Sequence, residues 1–134
     1  MDFVGINVKD YIGIVTIHRP PVNAVNTQLK QEIRDTFIEI NERDDIRVVI
    51  FNAIGEKAFI AGNDLYEFKT LSPENAEERS RLTRESFWAV YDCRVPVIGV
   101  INGPALGSGS AYAAVCDMLI ASDNATFGLP EINV

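Results

Sequence analysis

This sequence predicts an α/β fold with parallel strands interleaved by helices. Three observations point there. Short, almost wholly apolar runs such as Arg47-Val48-Val49-Ile50-Phe51 and Pro96-Val97-Ile98-Gly99-Val100-Ile101 read as strands covered on both faces. Segments of helical period separate them. Two apolar runs end in glycine turns, Ala61-Gly62-Asn63-Asp64 and Leu106-Gly107-Ser108-Gly109. Strands that alternate with helices in this way pair in parallel.

Taken in order, residues 3–8 and 12–17 alternate apolar and polar positions around Lys9-Asp10-Tyr11, which predicts an antiparallel hairpin. Arg19-Pro20-Pro21 stops the second strand, because proline cannot donate to a ladder. Asn26 or Thr27 caps a helix in which Leu29, Ile33, Phe37 and Ile40 form the buried stripe, with Lys30, Glu32, Arg34 and Glu39 largely outside it and Asp44-Asp45 closing it. A strand over 47–51 and a short one over 59–61 follow. Ser72-Pro73-Glu74 reads as a helix start, with serine as cap and proline in the first turn. That helix runs to about Tyr91, with Leu82, Phe87 and Val90 in the core. After the strand at 97–101, the small residues from Gly107 to Cys116 suit a helix. Met118-Leu119-Ile120-Ala121 gives a further strand, Ala125-Thr126-Phe127 an extended piece, and the last residues to Val134 show no helix signal.

The 134 residues make one domain at most, and 47% hydrophobic content is enough for a packed core. The balance of 12 basic against 19 acidic residues gives −7, which disfavours a nucleic-acid partner. Arg79, Arg81 and Arg84 lie in acidic helical sequence and read as a solvated face. Cys93 and Cys116 form no Cys-x-x-Cys pair, and no apolar leader precedes them, so a reduced, cytoplasmic setting is expected. No apolar run reaches the ~18 residues of a membrane span. His18, the single histidine, sits at a strand end before Arg19-Pro20, where a structural role is expected and metal ligation has no support.

The glycine turns carry the chemistry. A helix start leaves backbone N–H groups unpaired, and flanking glycines let a ligand reach them. The Ser108 N–H is therefore one candidate donor to a negative oxygen, and the Asn63 N–H is a second. Two donors aimed at one point make an oxyanion hole. The same glycines equally suit ordinary tight turns with positive φ. Glu131, after Gly128-Leu129-Pro130 and between apolar neighbours, is the candidate acid/base; it also reads as a surface glutamate. Asp64 reads as a cap. Ser108 and Ser110 lack a histidine to activate them as nucleophiles.

These motifs, taken together, resemble the crotonase superfamily, the enoyl-CoA hydratase/isomerase family. They are His18-Arg19-Pro20-Pro21-Val22-Asn23-Ala24-Val25-Asn26, Ala58-Phe59-Ile60-Ala61-Gly62-Asn63-Asp64-Leu65, Ile101-Asn102-Gly103-Pro104-Ala105-Leu106-Gly107-Ser108-Gly109-Ser110, Cys116-Asp117 and Phe127-Gly128-Leu129-Pro130-Glu131. The resemblance implies a crotonase-like spiral of ββα units, with residues 1–134 as an N-terminal core domain truncated before the C-terminal helices. It implies an acyl-CoA substrate, no bound cofactor or metal beyond the coenzyme A of that substrate, and assembly of the full-length protein as a trimer or hexamer. It assigns the oxyanion hole to Asn63 and Ser108, the acid/base to Glu131, and acyl-CoA contacts to Val22, Asn23, Ala24, Ala61, Leu65 and Tyr66. Hydratases of the family use two glutamates, and the first falls here on Ala111, which carries no proton. Hydration or isomerisation of an enoyl-CoA is the reading implied. A non-catalytic or truncated acyl-CoA binder and a hydrolase or lyase on the same scaffold are the alternatives. Phe68, Phe87 and Trp88 either line an apolar acyl pocket or pack in the core.

Overall fold

A computed structural model of the chain describes residues 1–133; Val134 lies outside the described residues. The expected hairpin forms from β1 (Val4–Lys9) and β2 (Ile12–Ile17), antiparallel in register Val4 to Ile17. Asp10 and Tyr11 make its turn with φ of 52° and 66°. Strand β3 (Val48–Ala53) then pairs parallel with β2, β4 (Val97–Ile101) with β3, and β6 (Met118–Ala121) with β4. The sheet order is β1-β2-β3-β4-β6. A second, two-stranded sheet joins β5 (Ala105–Leu106) to β7 (Phe127–Gly128).

Helix α1 (Thr27–Asn41) begins at Asn26, whose side-chain oxygen accepts from the Leu29 N–H at 2.9 Å. Leu29, Ile33, Phe37 and Ile40 are all fully buried, at about 1.5–3 kcal/mol of transfer free energy each. Phe37 packs edge-on to Phe51 of β3. Two expectations about this helix are corrected. It ends at Asn41, before Asp44-Asp45, because the Glu42 N–H turns back to the Glu39 and Ile40 carbonyls. Glu32 is buried, since its carboxylate accepts from the Asp2, Phe3 and Val4 N–H groups at 2.8–3.1 Å and ties the helix to the chain start.

Helix α3 (Ala76–Tyr91) starts one turn later than Ser72-Pro73-Glu74 suggested. Residues 72–75 form a separate turn in which the Asn75 and Ala76 N–H groups both reach the Ser72 carbonyl. Leu82 and Val90 are buried as expected, joined by Ser86, while Phe87 is half-buried against Tyr112. The strand expected at 59–61 is a single parallel bridge, Ile60 to Ala105, because the chain leaves the ladder at once for the Gly62 turn. Two short helices complete the fold: α2 (Leu65–Phe68), capped by Asp64, and α4 (Ser108–Ala114). A 3-10 turn over Pro130–Asn133 occupies the stretch expected to lack helix.

The core lies between the sheet and α1, with Phe51, Phe59 and Tyr112 stacked edge-on at its centre. Met118, Leu119 and Ile120 of β6, Phe127 of β7, and Leu129 and Ile132 beyond it are apolar and exposed. Among the described residues no helix is long and apolar enough to cross a membrane, and no group of three or more His, Cys, Asp or Glu could hold a metal ion.

Candidate active site

The first turn is built by a parallel bridge between Val25 and Asn63. The Val25 N–H donates to the Gly62 carbonyl at 2.8 Å, and the Asp64 N–H donates to the Val25 carbonyl at 2.9 Å. In such a bridge the middle residue's own N–H faces the other way. Among the described residues no acceptor is bonded to the Asn63 N–H. Gly62 has φ of 104°, a left-handed value that favours glycine.

In the second turn, successive amides go to different neighbours. Ala105 N–H donates to Thr126 O at 2.7 Å, Leu106 N–H to Ile60 O at 3.0 Å, and Gly107 N–H to Gly128 O at 2.9 Å. Ser108 is next. It is the first residue of α4, and its N–H has no bonded acceptor among the described residues. With seven residues, α4 supplies little dipole, so this N–H acts through its own unmet bond. The Ser108 side chain is buried, with Oγ unpartnered.

The two turns touch. A methyl group built on Gly107 would lie 3.6 Å from the Gly62 Cα, and one built on Gly62 would lie 3.4 Å from the Leu106 carbonyl. Gly109 backs directly onto the Ile60 carbonyl, with no room for any side chain. The parallel Ile60–Ala105 bridge thus sets both turns side by side at one end of the sheet.

Glu131 meets them there. Its Oε1 rests against the open face of Gly107, where a side chain would collide with it. The carboxylate is exposed, at the start of the 3-10 turn. Ala111, half-buried in α4, offers no ionisable group. Tyr112, beside it in sequence, points into the core. Its hydroxyl lies 2.8 Å from Ser86 Oγ, which itself donates to the Thr83 carbonyl, and burial pushes the phenol's pKa well up.

Residues expected to contact acyl-CoA surround the first turn. The Ala61 N–H donates to the Val22 carbonyl at 3.1 Å, which joins the two segments. Ala24 sits between them, and its carbonyl accepts from Arg19 Nη1 at 2.6 Å. Asn23 is buried with φ of 55°, and its side chain is spent on the backbone: Oδ1 accepts from Arg19 N–H, and Nδ2 donates to Ile54 O and Phe59 O. It shapes the loop through those bonds. Leu65 and Tyr66 are exposed. Asp64 caps α2 as expected and also pairs with Arg19 at 2.7 Å. Burial raises its carboxyl pKa, but Arg19 and the Tyr66 and Glu67 amides outweigh this and hold it below the ordinary value. His18 is exposed at a strand end, its N–H bonded to Phe3 O.

In the sequence Ser110 reads as a candidate nucleophile without a histidine to activate it. Its hydroxyl is instead a joint. Oγ accepts from the Gly128 N–H at 3.0 Å and lies 2.6 Å from the Ala105 carbonyl, to which it donates. It ties α4 to the segment that carries Glu131. The Ser-x-Ser spacing after Gly107 is the only sequence signal of this role. Phe68 and Trp88 are exposed rather than core. Phe68 lines a cavity between α1, α2 and α3 to which Val25 and Asn63 also contribute.

Comparison with known proteins adds to this geometry. A family profile described as Enoyl-CoA hydratase/isomerase matches residues 7–134. A Syntrophomonas wolfei protein named crotonyl-CoA hydratase is 34% identical over 127 residues, 94% of this chain and 49% of that protein. A Rhodococcus jostii protein named (7aS)-7a-methyl-1,5-dioxo-2,3,5,6,7,7a-hexahydro-1H-indene-carboxyl-CoA hydrolase is 38% identical over 125 residues, 92% of this chain and 48% of the relative. A crystal structure titled enoyl-CoA hydratase/carnithine racemase, from Magnetospirillum magneticum, superposes with a TM-score of 0.93 at 34% identity, over all of this chain and 52% of that one. The chain spans about half the length of the relatives it matches.

Proposed function

Because this chain belongs to the enoyl-CoA hydratase/isomerase family, we propose that its two glycine turns and Glu131 act on an acyl-CoA thioester through an enolate. The thioester oxygen accepts from the N–H groups of Asn63 and Ser108. As a proton leaves C2, negative charge moves onto that oxygen, and fixed donors stabilise it without reorganising; losing one costs about 3 kcal/mol in comparable sites. Glu131 carries the proton. The observation that supports this most is the meeting of Gly62, Gly107 and Glu131 Oε1, which come from three separate stretches of chain.

Ala111 favours a one-carboxylate reaction. In isomerisation, Glu131 takes a proton from C2 of a 3-enoyl-CoA and returns it to C4, so the double bond moves to C2–C3 and nothing else is consumed. Hydration adds water across C2–C3 and asks for a second group to orient that water, a task usually shared between two acids. The relative named a hydratase keeps hydration as a second reading, and the relative named a hydrolase keeps cleavage by water as a third.

The test supplies 3-enoyl-CoA and 2-enoyl-CoA to the protein and identifies the products. Conversion of the 3-enoyl to the 2-enoyl thioester is expected. Glu131→Gln should lower kcat by about a thousandfold with little change in KM. If neither thioester reacts, or the Gln variant keeps full activity, the reading fails.

A further inference from the structure

We propose that the cavity beside Asn63 is an acyl-tail subsite for substrates ending in a carboxylate or keto oxygen, with Lys30 as the group that reads it. This rests on the acyl-CoA reading above. The cavity has a volume of about 200 Å³, and both residues of the Val25–Asn63 bridge line it. Asn63 thus belongs both to the cavity and to the proposed oxyanion hole, so the acyl group of a thioester held at its amide lies beside the cavity.

The walls are mixed. Phe68, Leu71 and Leu82 supply apolar surface, while Lys30, Arg79 and Thr83 supply donors. Lys30 reaches in from α1 and is half-buried. Its Nζ donates to Thr83 Oγ1 at 3.0 Å and has no other partner among the described residues, leaving two of three N–H groups unspent. Among the described residues no carboxylate forms an ion pair with Lys30, although the Glu67 charge acts on it from the same wall. Asp64 is neutralised by Arg19. Glu67 is turned to the start of α1, where its carboxylate accepts from the Thr27 N–H at 2.7 Å and from the Thr27 hydroxyl. Among the described residues Arg79 bonds neutral acceptors, the Glu67 carbonyl and Thr70 Oγ1, and forms no ion pair.

A part-buried ammonium with unspent donors costs free energy unless a ligand completes it. Burial pushes the Lys30 pKa below the ordinary lysine value, the Glu67 carboxylate raises it, and Arg79 lowers it further. An oxygen acceptor at the distal end of the acyl group supplies the missing partner. A purely aliphatic tail leaves those donors desolvated and unmet.

The experiment measures dissociation constants for glutaryl-CoA and pentanoyl-CoA, which share chain length and differ in the terminal group, with 5-oxohexanoyl-CoA as the keto probe. Tighter binding of the glutaryl thioester, by tenfold or more, is expected. That preference should collapse toward unity in Lys30→Met and largely survive in Lys30→Arg, with thermal melts showing that both variants fold. A keto-only preference also supports the subsite and identifies its ligand class. Equal affinities in the wild type, or a preference that survives Lys30→Met, overturn the inference and leave the acyl-CoA reading standing. Failure of all three thioesters to bind overturns both.

Discussion

The carboxylate of Glu131 lies on Gly107, in the one place where residue 107 has no side chain to exclude it. Gly107 also has φ of 56°, so glycine is required there twice, for backbone conformation and for space. Gly107→Ala should cost about 1–2 kcal/mol through the left-handed backbone and should also push Glu131 off the turn. A displacement of about 1 Å at the reacting group can cost about a hundredfold in rate. Thermal melts and enoyl-CoA kinetics on the same sample separate the two effects. A variant that is destabilised yet keeps full kcat would show that this contact does not position the acid/base.

Ser110 should matter for position rather than for chemistry. Ser110→Ala removes the acceptor of the Gly128 N–H and the donor to Ala105 O. Leaving such groups unmet costs about 1–3 kcal/mol. Because the bond anchors the segment leading to Glu131, kcat should fall about 10- to 100-fold while KM changes little. Ser110→Cys, which keeps a weak donor and acceptor, should recover part of the loss. Full activity in Ser110→Ala would mean that the main-chain bond from Gly107 to Gly128 holds the segment alone.

Stability should fall in acid through Glu32. Burial raises its carboxyl pKa, but the Phe3, Asp2 and Val4 amides and the Gln28 side chain together outweigh burial and hold it below the ordinary 4.5. The folded state therefore prefers the ionised form. Its contribution is complete above the unfolded value near 4.5 and is lost as pH falls through the lower folded value. Urea melts of wild type and Glu32→Gln should differ at pH 6 and converge toward pH 3. A gap that stays constant over that range would contradict the assignment.

Much of this molecule was legible in one dimension. The apolar stripe of α1, the Asn26 cap, the β1–β2 hairpin and the alternation of strands and helices follow from local period and turn chemistry, which act over a few residues. Those rules misplaced the C-terminal end of α1 and the start of α3, where competing carbonyls a turn away decide the boundary. They also put Glu32 at the surface, since nothing near it in sequence announces the three amides of the chain start that it meets in space.

By itself the sequence determined the α/β class, the two glycine turns, the absence of a carboxylate at Ala111 and membership of the family. Only the tertiary structure decided that residues 62, 107 and 131 share one place, that Ser110 is a joint, and that Lys30 faces a cavity with donors to spare. The reason is physical. Backbone preference and hydrophobic period are properties of neighbours along the chain. A site assembled from residues tens of positions apart exists only once the parallel pairing of β3, β4 and β6 and the bridge from Ile60 to Ala105 have brought their ends together.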